Sequence, residues 1–286
     1  MRHFQRERGL HETGACDEHT WKALVEATWK LGDRLLMLTS PNMRGDDIAE
    51  LQHRLARIGF DCGRIDGIFG PLTAHALEDF QSNCGLPADA MCGIETIRVL
   101  DRVSEKTGTG PGISAVRERE RLRETPTTVA SLRVVLGQFG GLSAVTRALT
   151  RELRLAGAQV MSHDEPDAIT QARAANRYVA DVYLGFEGST TDRCVLHYYH
   201  VPSFESVGGR ALATWVSEAL AAVTEFDLAI GEPCGMRLPV LRETKMPAVL
   251  CTLSPVRRAV DLAPFIASAT LEALGVWTTR PALTVS

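Results

Sequence analysis

No run of about 18 apolar residues occurs in the chain, so no segment is built to cross a bilayer as a helix. The opening MRHFQRERGL is charged from its second residue and has no apolar core, so it is not expected to act as a signal peptide. Basic residues are not in excess. The net charge is −4 and the pI about 6.1, so there is no basic footprint for nucleic acid. No CxxC pair occurs among Cys16, Cys62, Cys84, Cys92, Cys194, Cys234 and Cys251, and their number is odd. That pattern fits reduced thiols in a cytoplasmic protein better than a secreted disulfide framework. A phosphate loop is also missing, because GQFGG at 137–141 lacks both the Lys-Ser/Thr of a P-loop and dinucleotide-fingerprint spacing.

What is present is 286 residues, 45% of them hydrophobic, enough for about two domains with real cores. The first informative feature is a repeat. FQRERGLHETGACDEHTWKAL from Phe4 and FQSNCGLPADAMCGIETIRVL from Phe80 share seven of 21 positions at a constant offset of 76. The shared pairs include Gln5/Gln81, Cys16/Cys92 and Thr20/Thr96. A gapless fixed offset indicates duplication.

The second copy is complete. DDIAELQHRLARIGF places Ile48, Leu51, Leu55 and Ile58 at helical spacing, with Gly59 as a stop. The loop DCGRIDGIFGP contains the turn dipeptides Asp66-Gly67 and Gly70-Pro71. Thr73 is the expected N-cap of a helix with Ala76, Leu77 and Phe80 inward, and a last helix runs from about Glu95 to Arg102. The order LQ, G-F, DG-FG, T--A, FQ and GL resembles the small three-helix peptidoglycan-binding module found beside wall hydrolases. Asp66, Gly67, Phe69 and Gly70 are its candidate ligand residues, although their types also suit loop building. The first copy begins at the end of its middle helix. Half a module cannot bury its own apolar face, so residues 1–40 pack on the second repeat, join another chain, or stay loose.

KTGTGPGIS from Lys106 reads as a flexible joint, and the alternating Arg and Glu of 117–124 as a short solvated helix. From Ser131 apolar strands alternate with amphipathic helices. The strands are SLRVVLG, AQVMSH, DVYLGF, RCVLHYYHV and PAVLCTLS, and the last helix is VRRAVDLAPFIASATLEAL. This alternation predicts an α/β domain with a mostly parallel sheet. The expected division is 1–40, 41–103, 104–130 and 131–286.

AGAQV at 156–160, Arg173 with Ala-Asn at 175–176 and Ala-Asp at 180–181, and LRETKMPAVL at 241–250 resemble zinc-dependent N-acetylmuramoyl-L-alanine amidases. The resemblance implies an enzyme that cuts between glycan and stem peptide. It also implies where the chemistry would sit. The family's first zinc histidine falls on Phe139, its second histidine on Glu187, and its catalytic glutamate on Thr252. The second ligand, a glutamate, has no counterpart, since no Asp or Glu occurs from Gly137 to Arg151. A catalytic zinc takes about three protein ligands and an open position for water, and a threonine hydroxyl does not act as the base near neutral pH. His197 and His200 lie three apart on one strand and face opposite sides. No metal, no cofactor and no hydrolysis are therefore expected.

This combination resembles an actinobacterial group of cytoplasmic amidase-like proteins that regulate precursor synthesis. The implied partners are peptidoglycan or its precursors and a MurA-type enolpyruvyl transferase. The alternatives are an exported zinc amidase active in wall turnover and a passive exported wall binder. If the regulator reading holds, Phe139, Phe186, Glu187 and Thr252 should meet at the C-terminal ends of the strands and form a binding groove.

Overall fold

The computed structural model describes residues 1–104, 113–189, 193–224 and 229–283. Of the expected joint at 106–114, residues 106–112 lie outside them, while Ile113 and Ser114 begin a helix and do not belong to a flexible joint. The chain divides into two compact units, residues 1–117 with 202–204, and the remainder from 118. Among the described residues no helix is long and apolar enough to cross a membrane.

The first unit is helical: α1 (Arg2–Glu7), α2 (Glu18–Ala27), α3 (Asp46–Arg57), α4 (Pro71–Asn83) and α5 (Ile94–Ser104). Ile48, Leu51 and Leu55 of α3 are buried against Ala76, Leu77 and Phe80 of α4 and Ile97 and Leu100 of α5. Phe60 closes the core edge-on to Phe80, with ring centroids 5.6 Å apart. Thr73 does not cap α4. Gly70 is the N-cap and Pro71 begins the helix, where its missing N–H costs nothing. Thr73 is instead buried in the third helical position, where its hydroxyl accepts from Gln52 Nε2 at 3.0 Å.

Residues 1–40 pack on the complete repeat. The Arg34 guanidinium takes the buried carboxylate of Asp47 with two hydrogen bonds, 2.7 and 3.1 Å. Arg8 pairs with Asp46, and Leu36 bridges Cys92 through two backbone hydrogen bonds. Removing Arg34 would leave Asp47 a buried charge without its counterion, the costly way to break such a pair.

α6 (Ile113–Arg123) follows, and from Glu118 onward it belongs to the second unit. The elements are then β1 (Arg133–Phe139), α7 (Ser143–Leu155), β2 (Gln159–His163), α8 (Ala168–Tyr178), β3 (Val182–Gly188), β4 (Val195–Val201), β5 (Phe204–Glu205), α9 (Val207–Ala221), β6 (Cys234–Met236), α10 (Pro239–Glu243), β7 (Ala248–Leu253), α11 (Val256–Asp261) and α12 (Ala263–Thr279). The sheet order is β2-β1-β3-β7-β4-β5, with β6 beside β4. β2, β1, β3 and β7 run parallel, and β4 is antiparallel to β7. The result is a mixed sheet of mostly parallel strands.

α7, α9 and α12 cover one face, over a core that includes Leu136, Leu184, Val249 and the fully buried Trp277. α8 and α10 lie on the other face. Glu118 of α6 caps α9. Its carboxylate accepts from Ser206 Oγ at 2.7 Å and from Val207 N at 2.9 Å, where negative charge suits a helix N-terminus. The single final helix expected from the sequence is two. The chain breaks at Leu262, and Pro264 stands in the first turn of α12, where a proline is tolerated, rather than inside a continuous helix. β5, β6 and α10 are each five residues or fewer and were not expected.

Candidate functional site

Three of the four expected positions form one row across the sheet. Phe139 on β1 is the register partner of Glu187 on β3, and Glu187 is the partner of Thr252 on β7. All three stand at the C-terminal ends of parallel strands, where ligands of such sheets bind. Phe186 does not join the row. Neighbouring strand residues point to opposite faces, and Phe186 is buried in the core under α7, α9 and α12.

The row's functional groups are limited. Phe139 and Glu187 are half-buried, and Phe139 offers only a ring. Thr252 is 5% exposed, and its hydroxyl donates to the carbonyl of Val195 at 3.0 Å. Its Oγ1 is also 3.5 Å from Nε2 of the buried His197. Glu187 is the single carboxylate of the row.

Beneath the row a slot opens because Gly137 and Gly185 have no side chains. A Cβ on Gly137 would stand 2.0 Å from Gln171 Oε1 and 2.2 Å from the Tyr183 hydroxyl. The slot holds that pair. Tyr183 Oη donates to Gln171 Oε1 at 2.7 Å, and Gln171 Nε2 donates to the carbonyls of Gln138 and Glu165. Burial pushes the Tyr183 phenol far above its ordinary value, and the nearby Glu187 charge pushes the same way, so the phenol stays neutral. Gln138 steadies the following glycine turn by accepting from Leu142 N at 2.9 Å. Tyr183 and Gln171 were not picked out from sequence. The available signal was glycine inside two strands, which marks close approach by another group.

A zinc ion of the kind the amidase resemblance implies does not fit these residues. A phenyl ring ligates nothing, Thr252 is bound to the strand beside it, and one carboxylate does not make a site. Among the described residues no three His, Cys, Asp or Glu side chains come together to hold a metal.

The residues that most resemble the amidases elsewhere serve the scaffold. Asn176 of α8 donates to the Glu243 carbonyl at 2.8 Å and accepts from Lys245 N at 2.9 Å. It thereby joins the Ala-Asn stretch to the loop before β7. The Asp181 carboxylate accepts from Arg133 N at 2.7 Å and fixes the start of β1.

In the first unit the candidate ligand residues build their own loop. Asp66 Oδ1 accepts from Gln52 Nε2 and from Ile68 N, both at 2.9 Å. Gly67, in the left-handed region at φ +70°, donates its N–H to Gln52 Oε1 at 2.8 Å. Phe69 is fully buried, and Gly70 caps α4.

The sequence profile of the peptidoglycan binding domain family matches residues 44–100. N-acetylmuramoyl-L-alanine amidase CwlM of Mycobacterium tuberculosis is 29% identical over 306 residues, spanning 96% of this chain and 74% of that protein. This chain carries a peptidoglycan-binding domain followed by an amidase-like α/β domain. The spore cortex-lytic enzyme of Bacillus cereus is 43% identical over 61 residues, which cover 21% of this chain and 24% of that enzyme. Among solved structures, the N-acetylmuramoyl-L-alanine amidase AmiC2 of Nostoc punctiforme aligns at TM-score 0.41 and 16% identity, over 50% of this chain and 94% of that one. The amidase-like domain joins a scaffold held by Asn176 and Asp181 to a strand-end row of Phe, Glu and Thr.

Proposed function

We propose that this chain is a non-hydrolytic amidase-like protein that acts in the cytoplasm. It binds peptidoglycan or its precursors through its helical repeats and regulates precursor synthesis by protein–protein binding, with a MurA-type enolpyruvyl transferase as the partner. One observation carries the reading: the row Phe139–Glu187–Thr252 stands where the amidase resemblance puts metal ligands and a general base. Hydrolysis through a bound metal needs a Lewis acid and a group that moves the water's proton. Thr252 moves no proton near neutral pH, and its hydroxyl already donates to Val195. The half-buried Phe139 ring beside the Glu187 carboxylate gives the strand ends a mixed apolar and acidic edge, suited to a protein segment.

The test is hydrolysis of purified peptidoglycan by the full chain with added zinc, with an active amidase as control. The reading expects no release of stem peptides and, in parallel, saturable binding to the purified transferase. Turnover that a chelator abolishes would return the chain to the enzymes. Absence of both turnover and transferase binding would leave only the wall-binding role.

A further inference from the structure

In the second unit a cavity of about 690 Å³ opens where α6, α9 and the end of α12 meet, and none of the strand-end row lines it. That volume is typical of small-molecule sites. Arg119 and Arg123 line it from α6, one helical turn apart and so on the same face. Arg280 lines it from the end of α12, and no acidic residue joins the lining. Among the described residues none of these three guanidinium groups has an ion-pair partner. Three like charges around one concavity repel, and a bound anion removes that cost.

The other side of the cavity is apolar. Leu122, 4% exposed, anchors α6 in the core between the two arginines. Trp215 of α9 donates Nε1–H to the Arg280 carbonyl at 3.1 Å, so the indole is held in place and its one polar group is already used. Pro281 continues the same wall. A fixed aromatic surface thus faces three exposed, forked cations.

We infer that this cavity binds a diphosphate ester, with the phosphate oxygens on Arg119, Arg123 and Arg280 and the esterified group against Trp215. Guanidinium forks match phosphate oxygens in pairs. One phosphate monoester carries about two negative charges at most, fewer than the three cations, and a second phosphate brings the charges nearer to balance. The apolar wall requires an uncharged part, which a nucleoside or a prenyl chain would supply. This inference does not depend on whether the strand-end row is catalytic.

The test is isothermal titration calorimetry on the full chain with inorganic phosphate, pyrophosphate, uridine diphosphate and farnesyl diphosphate. Saturable binding of at least one ester is expected, tenfold or more tighter than inorganic phosphate and weakened by added salt. Whichever ester binds tighter shows whether the wall takes a base or a prenyl chain. The double variant Arg123→Gln/Arg280→Gln, whose side chains are exposed, should keep the native circular dichroism and lose at least tenfold in affinity. Trp215→Leu should weaken the esters more than pyrophosphate. No heat with any probe at millimolar concentration would overturn the inference, and so would esters that bind the arginine variant as well as the parent.

Discussion

Gln5 and Gln81, 76 positions apart, make the same four hydrogen bonds. Each amide donates to a side-chain oxygen (Thr13 or Asp89), to a backbone carbonyl (Ala15 or Met91) and to a buried threonine (Thr20 or Thr96). Each side-chain oxygen then accepts a backbone N–H, from Gly14 or Ala90. Those two residues share a left-handed backbone, φ +78° and +56°. Gln52 repeats the pattern with Asp66, Gly67, Ile68 and Thr73. One buried amide therefore ties each loop to the helix that follows it, in all three places.

Gln81→Ala should unfold the helical unit more easily, by about 1–3 kcal/mol, because the buried Thr96 hydroxyl loses its partner and the loop loses three further bonds to the amide. Urea unfolding followed by far-ultraviolet circular dichroism measures this. A change under about 0.5 kcal/mol, the size of an ordinary surface substitution, would mean the amide does not hold the loop.

Gly137→Ala tests the slot beneath the row. The added Cβ meets Gln171 and Tyr183 atoms at 2.0 and 2.2 Å, and both belong to a bonded pair that cannot simply swing away. A loss of roughly 1–3 kcal/mol is expected from such overpacking. Combining it with Gln171→Ala should cost less than the sum of the two single changes, because the clash is then relieved. Additive losses in a double-mutant cycle would show that the pair does not fill the slot.

Thr252→Glu restores the amidase residue at one position only. The carboxylate would be buried where Thr252 is 5% exposed, and it would displace the bond to Val195. We expect no gain of hydrolysis and a melting temperature lower by several degrees, as follows from placing a charge without a partner. Hydrolysis that appears with this single change would show that the remaining positions already suffice.

The thiols of Cys62 and Cys92 give a pH dependence. Burial pushes each up to about 12, with Asp66 and Asp61 adding to the rise at Cys62 and Arg54 opposing it at Cys92. The ordinary value is near 9. Above that value the unfolded thiols lose their protons while the folded ones keep them, so stability is complete below pH 9 and falls as pH rises toward 12. The variant Cys62→Ala/Cys92→Ala should lose stability less steeply between those values than the parent. Parallel slopes in alkaline urea titrations would contradict this.

The sequence made the fold largely legible, through particular residues. The equivalence of Gln5 with Gln81 and of Thr20 with Thr96 was visible as a fixed offset. The third copy, on Gln52, was hidden because its loop is longer. Gln52 precedes Asp66 by 14 residues, whereas Gln81 precedes Asp89 by eight, and only the step of seven to the threonine is shared. The row Phe139–Glu187–Thr252 was reached through the amidase resemblance, whose motifs fall on the ends of three strands. Phe186 could not share a face with Glu187, because a strand alternates its side chains. The break at Leu262 was masked by apolar residues on both sides of Pro264, and β5, β6 and α10 are too short to show a period. The cavity at Arg119, Arg123 and Arg280 joins residues more than 150 positions apart, and nothing local in the sequence marks it.

The most direct test of the central claim is the zinc content of the purified full chain after incubation with zinc and desalting. A row of phenyl, carboxylate and strand-bound hydroxyl predicts near-zero zinc per chain. About one tightly held zinc per chain would contradict the account and restore an amidase metal site.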